Sequence, residues 1–181
     1  MSIAYIALGS NVASAAGAPD ATLAAAAKRL AQLGTVISQS SLYSTRPVGY
    51  AEQPRFVNAV LALETSLAPH ALLTQLLEIE KEFGRDRSRA IANGPRTLDL
   101  DILLMGDLEI SEAGLELPHP RMEQRAFVLV PLHEIAPQLK VAGCGKTVAQ
   151  LLKELHQTQA GDPDAVVRIE SDRWHAVAGE V

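Results

Sequence analysis

The amino-acid sequence predicts an α+β sandwich in which helices cover the faces of a mainly antiparallel sheet. Two observations support this fold class. Apolar runs typical of strands alternate along the chain with segments whose apolar residues recur every three or four positions, as in amphipathic helices. In the middle of the chain, Gly106-Asp107 predicts a two-residue hairpin turn between neighbouring strands.

Three strands are predicted in the first half of the chain. Residues 3–8 form an apolar run that ends at a Gly-Ser-Asn sequence, and residues 36–43 and 56–63 also have the composition of strands. In the third strand, Asn58 occupies a position where the alternation of side chains leads us to expect an apolar residue. Residues 45–55, which contain two prolines and a glycine, are predicted to be a long loop of the kind that carries function.

Two helices separate these strands from each other and from the second half of the chain. Residues 21–33 carry an apolar stripe at helical spacing, and we expect Asp20 to cap this helix and Gly34 to end it. Residues 68–83 carry a second stripe, in which Glu80 continues an apolar row.

The second half contains fewer clear elements. Residues 108–110 are expected to form the second strand of the hairpin, and Thr147 with Gln150 predicts a capping box for a helix that reaches about residue 155. Residues 166–170 are expected to add an edge strand.

Length and composition limit the classes of function. With 181 residues the chain has the size of one domain, which we expect to span residues 1–160, followed by a C-terminal extension over 161–181. A net charge of −5 argues against bulk binding of nucleic acid or anionic membranes. The single Cys144 excludes an internal disulfide, and neither a signal sequence nor a membrane-spanning run is present, so the sequence predicts a cytoplasmic protein.

Two carboxylates alternate with apolar residues near the middle of the chain. On a strand, Leu98, Leu100 and Ile102 share one face, whereas Asp99 and Asp101 share the other. Their Cα atoms would lie roughly 6.5–7 Å apart. This spacing lets both carboxylates bind one Mg²⁺ or hold two metal ions about 3.5–4 Å apart. An edge strand with a solvated acidic face would show the same pattern.

An arginine-rich segment precedes the two carboxylates. Residues 85–96 hold four of the chain's eleven arginines. The planar guanidinium matches phosphate oxygens, and cations next to metal-binding carboxylates are typical of phosphoryl transfer. The alternative is that these arginines pair with nearby acids such as Asp86 on a solvated surface. We favour that alternative for Arg89 and a functional role for Arg96.

A second phosphate-binding motif is excluded. Gly145-Lys146-Thr147 resembles the end of a P-loop, but that motif needs a glycine at position 140, where this chain has Lys140. The segment is interpreted as a tight turn before a helix.

Several motifs in the same order resemble one enzyme family. They are the run from Gly94 to Ile102, the Tyr-Ile-Ala-Leu-Gly-Ser-Asn run over residues 5–11, the Pro-His-Pro-Arg-Met run over 118–122, and Arg-Ala-Phe over 125–127. Between about residues 3 and 157 the chain resembles the 6-hydroxymethyl-7,8-dihydropterin pyrophosphokinases of folate biosynthesis. The resemblance implies a ferredoxin-like α+β sandwich.

The resemblance also implies a reaction and a metal. Such enzymes transfer a pyrophosphoryl group from ATP to the hydroxymethyl group of the pterin and release AMP. Asp99 and Asp101 would then be the ligands of two Mg²⁺ ions that bridge the triphosphate. ATP and the reduced pterin would be the only partners, with no nucleic acid or membrane, and the chain would be a monomer.

The remaining site residues follow from the same resemblance. Arg85 and Arg96 match loop arginines that contact phosphates during transfer. The positions that match the nucleotide site are Glu80, Arg87, His119 and Arg125. The positions that match the pterin site are Thr45, Val48, Phe56, Asn58 and Phe127. For His119, a structural role in its loop remains an equal alternative.

Two departures from the family pattern stand out. Phe56 occupies a position where a tyrosine is frequent, and Ala92-Asn93 replace a basic and an aromatic residue. Two other functions remain open. A Mg²⁺-dependent nucleotidyltransferase would share the paired carboxylates but attack the α-phosphorus, and a binding module would hold pterin or nucleotide without turnover.

Overall fold

A six-stranded antiparallel sheet forms the centre of the computed structural model, which describes residues 1–47, 52–89, 94–158 and 165–175. The strands of the sheet are β1 (Ser2–Ser10), β2 (Thr35–Gln39), β3 (Leu42–Thr45), β4 (Phe56–Thr65), β5 (Asp99–Met105) and, numbered by chain order, β8 (Val166–Ile169). The order is β5-β1-β4-β3-β8, and β2 pairs with β4 beside β3. A separate two-stranded sheet consists of β6 (Ile110–Glu112) and β7 (Leu115–Leu117).

Within the described residues, four helices cover the two faces of the sheet. They are α1 (Pro19–Leu30), α2 (Pro69–Glu82), α3 (Ala126–Ile135) and α4 (Val148–Thr158). Helices α1 and α2 pack in one apolar cluster with Leu61 of β4, whereas α3 and α4 pack in a second cluster with Val60. Neighbouring residues of a strand point to opposite faces, so the two clusters lie on opposite sides of the sheet. The predicted α+β sandwich is confirmed.

The expected single strand over residues 36–43 is wrong, because the chain is interrupted between β2 and β3. Ser40 is buried at the interruption, where its backbone N–H donates to the carbonyl of Val60 and its Oγ accepts from the N–H of Val60. Ser41 donates from both its N–H and its Oγ to the carboxylate of Glu134 on α3. These polar contacts bend the chain so that β2 and β3 both pair with β4.

The first predicted helix lies close to its expected position, but its ends differ. Ala18 is the N-cap and the helix starts at Pro19, since Pro is favoured in the first turn. Asp20 therefore does not cap the helix, and its carboxylate instead accepts from Oγ of Ser171 at 2.7 Å. The helix ends before Gly34, where a Cβ would lie 2.1 Å from the carbonyl oxygen of Glu64. Gly34 is thus required by the close approach of β4 and not as the end of the helix.

The predicted hairpin between β5 and residues 108–110 is also wrong. Gly106 does turn the chain, with φ of +55°, and its N–H donates to the carbonyl of Ile3. The next strand, β6, pairs with β7 instead of with β5. In contrast, the capping box of α4 is confirmed, because the N–H of Thr147 donates to Oε1 of Gln150 and the N–H of Gln150 donates to Oγ1 of Thr147.

The C-terminal segment adds the strand β8 to the edge of the sheet. It pairs antiparallel with β3, from Thr45 opposite Val166 to Leu42 opposite Ile169. A division into domains at residue 160 stays a prediction. In the described parts of the chain, no helix combines the length and apolar character that crossing a membrane would need.

Candidate active site

The two carboxylates of β5 point to the face of the sheet that α3 and α4 partly cover. Asp101 lies opposite Ala7 on β1, and Ala7 lies opposite Val60, which belongs to the cluster of α3 and α4. Residues directly opposite in neighbouring strands share a face. Leu100 is buried on the other face, so the predicted alternation is confirmed.

Asp101 is a partly buried carboxylate without a hydrogen bond to any residue that the structure describes. Removal from water, together with the negative charges of Asp99 and Glu80, raises the pKa of Asp101 to about 7. A carboxylate in this environment is stabilised by a cation.

Three arginines surround Asp99. Nη1 of Arg96 donates to Oδ2 of Asp99 at 2.7 Å, whereas Arg85 and Arg87 approach Oδ1 to 3.7 and 3.8 Å. Arg85 is nearly buried, and its Nε has no hydrogen-bond partner among the described residues. Burial lowers the pKa of Arg85, so its charge is poorly solvated. The three guanidinium groups therefore have N–H donors available for an anion.

Glu80 connects the arginine-rich segment to β5. Its side chain is 1% exposed, and it accepts from the backbone N–H of Leu100 at 2.8 Å and from Nη2 of Arg87 at 2.7 Å. Burial raises the pKa of Glu80, whereas these hydrogen bonds lower it. Glu80 therefore holds Arg87 beside the two aspartates.

A first cavity opens at the ends of β1, β4 and β5. Its lining combines two aromatic side chains, one amide and several charged groups: Ala7, Leu8, Gly9, Thr45, Arg46, Phe56, Asn58, Arg96, Asp99, Asp101, Arg125, Phe127 and Val128. The guanidinium of Arg96 lies 5.9 Å from the ring centre of Phe56, and that of Arg125 lies 5.4 Å from the ring centre of Phe127. Each aromatic ring thus faces a cation.

The amide of Asn58 is held in one orientation. Oγ1 of Thr45 donates to Oδ1 of Asn58 at 2.5 Å, and Nδ2 lies 3.5 Å from the carbonyl oxygen of Leu8. A Cβ on Gly9 would lie 2.8 Å from Nδ2 of Asn58, so the glycine makes room for the amide. The polar side chain that is unexpected in the strand pattern therefore lines a cavity.

A second cavity lies between α2, β5 and β7. Its lining is more apolar and comes from α2, β5, β7 and the turn after β7: Leu73, Leu77, Arg87, Leu100, Asp101, Ile102, Gly114, Leu115, Glu116, His119 and Pro120. Asp101 lines both cavities. The two cavities therefore meet at this carboxylate.

His119 lines the second cavity. Burial and the charges of Arg125 and Arg121 lower the pKa of His119. Nδ1 accepts from the backbone N–H of Arg121 at 3.2 Å, so the proton lies on Nε2, which can donate to a ligand.

Most of the predicted site residues lie around these two cavities. Arg85 and Glu80 lie behind them, in contact with Asp99 and Arg87, and Val48 and Ala92-Asn93 lie outside the described residues. Arg46, which lines the first cavity, and Asn11 are not apparent as site residues from the sequence pattern. Asn11 is 3% exposed, accepts from the N–H of Arg96, and donates to Gln53 and to the carbonyl of Pro54.

The number of acidic ligands limits how a metal can bind. Within the described ranges, no group of three or more His, Cys, Asp or Glu side chains could hold a metal ion. Two carboxylates are the set expected when Mg²⁺ completes its shell with water and the phosphates of a nucleotide.

Comparisons with known proteins identify the family. The family of 7,8-dihydro-6-hydroxymethylpterin-pyrophosphokinases (HPPK) matches residues 5–137, a range that contains all the site residues discussed above. The chain belongs to the HPPK family. An HPPK transfers a pyrophosphoryl group from ATP to 6-hydroxymethyl-7,8-dihydropterin in folate biosynthesis, in agreement with the function expected from the motifs.

Individual HPPK relatives are similar over most of the chain. The pyrophosphokinase of Methylorubrum extorquens is 41% identical over 94% of this chain and 100% of its own length. That of Pseudomonas aeruginosa is 47% identical over 82% of this chain and 88% of its own. A crystal structure of Plasmodium falciparum HPPK-DHPS has a TM-score of 0.71 over 92% of this chain at 16% identity, which supports the fold. The chain spans 47% of that longer protein.

Proposed function

We propose that ATP binds in the second cavity, that the pterin binds in the first, and that the pyrophosphoryl group passes between them beside Asp101. The observation that carries this proposal is that Asp101 lines both cavities. Group transfer requires that two substrates meet at one point, with their reacting atoms about 3–3.5 Å apart.

The first cavity has the chemistry of a pterin site. Phe56 and Phe127 offer two aromatic faces for a flat heterocycle, and the amide of Asn58 offers a donor and an acceptor for its polar edge. Thr45 fixes that amide through its hydroxyl. We also assign Val48 to this site, on the resemblance alone.

The second cavity has the chemistry of a nucleotide site. Leu73 and Leu77 provide an apolar wall for a base, and Nε2 of His119 provides a hydrogen-bond donor for a phosphate. Arg87 and Arg125 supply positive charge at the edge shared with the first cavity. Glu80 acts by holding Arg87 and the backbone of Leu100 in place.

Asp99 and Asp101 would hold two Mg²⁺ ions that arrive with the nucleotide. The residues fit this metal, because carboxylate oxygens are hard ligands and Asp101 has no other hydrogen-bond partner among the described residues. When bound, the ions neutralise charge on the triphosphate and on the group in transfer.

The chain's own residues position the phosphates for in-line attack by the pterin hydroxyl on the β-phosphorus. Arg85 and Arg96 would leave Asp99 and donate to phosphate oxygens as negative charge develops there. No protein nucleophile is needed, and AMP leaves.

The cellular setting is part of the same proposal. We assign the chain to the cytoplasm as a monomer, without a nucleic-acid or membrane partner. The net charge of −5 and the supply of both proposed cavities by a single chain support this assignment.

Replacement of each aspartate tests the proposal. We expect Asp99→Asn and Asp101→Asn to lower kcat by about 10³-fold or more, because each removes a metal ligand worth several kcal/mol. The melting temperature should not fall for Asp101→Asn, since its buried charge is unfavourable. Asp107→Asn, on the exposed turn after β5, is the matched control. Near-normal activity of either variant would indicate that the two aspartates form only a solvated acidic edge and are not metal ligands.

A further inference from the structure

Ala165, which directly precedes the C-terminal strand β8, contacts Arg46 on the lining of the first cavity. The carbonyl oxygen of Ala165 accepts from the backbone N–H of Arg46 at 3.0 Å and from Nη2 of Arg55 at 3.4 Å. Arg46 directly follows β3 and Arg55 directly precedes β4. One carbonyl group of the C-terminal segment thus joins the two ends of the connection between these strands.

Two contacts connect this part of the sheet with the proposed pterin site. Thr45 lies opposite Val166 of β8 on one side and opposite Phe56 of β4 on the other. The hydroxyl of Thr45 then donates to Asn58. The pairing of β8 with β3 therefore sets the position of the residue that orients the amide.

Contacts far from the cavity hold this C-terminal segment in place. Nε1 of Trp174 donates to the carbonyl of Ser40 at 2.8 Å, and Oγ of Ser171 donates to Asp20 at 2.7 Å. Trp174 also packs against the apolar cluster of α1 and α2. The segment is therefore anchored on the body of the domain independently of the substrate cavities.

We propose that β8 positions the pterin side of the active site, with the carbonyl of Ala165 accepting from Arg46 and Arg55 at the two ends of the connection between β3 and β4. No residue of β8 lines either of the two cavities, so the strand would act through Thr45 and Asn58. This inference rests on the proposed function, because it needs a pterin in the first cavity. A strand that serves only for stability would lower the fraction of folded protein without changing the affinity for one substrate alone.

Two proline variants one residue apart provide a matched test. Hydrogen-bonded and non-hydrogen-bonded pairs alternate along an antiparallel ladder. Since Arg46 donates to Ala165, the pair of Ser44 with Val167 is also hydrogen-bonded, whereas Arg168 directs its N–H away from β3. Val167→Pro removes a ladder bond, and Arg168→Pro keeps the ladder because proline is tolerated where an edge N–H faces solvent. Both side chains are exposed, so neither change removes much packing.

We expect Val167→Pro to raise the KM for the pterin at least fivefold and to leave the KM for ATP within twofold. Arg168→Pro should leave both constants within twofold. Unchanged constants in Val167→Pro, or an equal rise for both substrates, would overturn the proposal.

If Val167→Pro does not fold, a side-chain variant tests whether the C-terminal segment positions the pterin site. Arg55→Gln removes an exposed guanidinium that donates to the carbonyl of Ala165 and also to Oγ and the carbonyl of Ser44, so it loosens the junction of β3 with the C-terminal segment and should raise the pterin KM alone. Arg173→Gln, which changes the ion pair of the same segment with Asp20, should not. If Arg55→Gln has no effect specific to the pterin while the unaltered chain stays active, the inference is overturned. An unaltered chain that forms no pterin diphosphate overturns the inference and the proposed function together.

Discussion

Arg96 donates from Nη1 to Oδ2 of Asp99 at 2.7 Å, so a proposed phosphate-binding arginine neutralises a proposed metal ligand. The same guanidinium faces the ring of Phe56 at 5.9 Å. Metal and nucleotide together would give each group a new partner, the metal for Asp99 and the phosphates for Arg96. The arginine would then leave the aromatic face that the pterin needs.

Removal of this arginine should affect chemistry more than pterin binding. We expect Arg96→Ala to lower kcat by at least 10²-fold, since a donor to developing charge is typically worth about 3–4 kcal/mol. The pterin KM should change less than threefold, because the ring of Phe56 remains. Arg29→Ala, on an exposed ion pair with Glu82, is the control. Equal losses in pterin affinity and rate would mean that Arg96 shapes the pocket.

Gly9 offers a way to move Asn58 without replacing it. A Cβ at position 9 would lie 2.8 Å from Nδ2 of Asn58, and the end of that side chain can shift. We expect Gly9→Ala to raise the pterin KM about tenfold with little loss of stability. Gly106→Ala should instead lower stability and leave the pterin KM unchanged. Its φ of +55° costs about 1–2 kcal/mol for a residue with a side chain, whereas open space surrounds the position where the Cβ would lie. Steady-state kinetics and thermal melting separate the two effects, and an unchanged pterin KM in Gly9→Ala would argue against Asn58 as a pterin contact.

Stability at high pH should depend on Tyr43. Burial, with a further contribution from its hydrogen bond to Glu134, raises the pKa of Tyr43 to about 12. Its ordinary pKa is about 10. A raised pKa favours the neutral form in the folded state, so its contribution is intact below pH 10 and is lost as the pH rises towards 12. The full loss is about 3 kcal/mol of the free energy of unfolding.

Denaturant unfolding at several pH values checks this expectation. Tyr43→Phe lacks the titrating group, so its free energy of unfolding should fall less steeply above pH 10 than that of the unaltered chain. Parallel curves for the two proteins would show that Tyr43 is not responsible.

Lys146 should be almost silent despite its P-loop-like surroundings. Its Nζ pairs with Glu154 at 2.8 Å on the surface, and it lines neither cavity described above. We expect Lys146→Ala to change kcat/KM less than twofold and to leave the melting temperature almost unchanged, because its ion pair is exposed. A hundredfold loss of rate, about 2.7 kcal/mol, would show that the segment binds phosphate after all.

The sequence alone predicted the elements with a clear apolar period and missed those without one. Helix α3 carries Phe127 but has apolar residues on all sides and Pro131 inside it, so no amphipathic stripe indicates a helix. The interruption at Ser40 depends on contacts with Val60 and Trp174, which are distant in sequence. Such tertiary contacts cannot be derived from local pattern.

The candidate site was predicted in part for a related reason. The aspartates of β5 and Asn58 of β4 are polar residues in segments whose other residues favour buried strands. They can therefore be recognised as candidate site residues from the sequence. Asn11 ends an apolar run at a turn, where asparagine is ordinary. Only its burial and its bonds to Arg96 and Gln53 show that it joins the two segments beside the site. The cavity shared at Asp101 likewise needs three dimensions.

The fate of the β-phosphorus of ATP distinguishes pyrophosphoryl transfer from the two other reactions that a Mg²⁺-dependent enzyme could perform with ATP. The chain is incubated with Mg²⁺, the reduced pterin and ATP labelled at the β-phosphorus, and the products are separated by chromatography. Pyrophosphoryl transfer predicts that the label moves to the pterin and that unlabelled AMP forms in equal amount. Label retained in ADP would indicate an ordinary kinase. Label released as free pyrophosphate would indicate nucleotidyl transfer. Either result would exclude pyrophosphoryl transfer to the pterin.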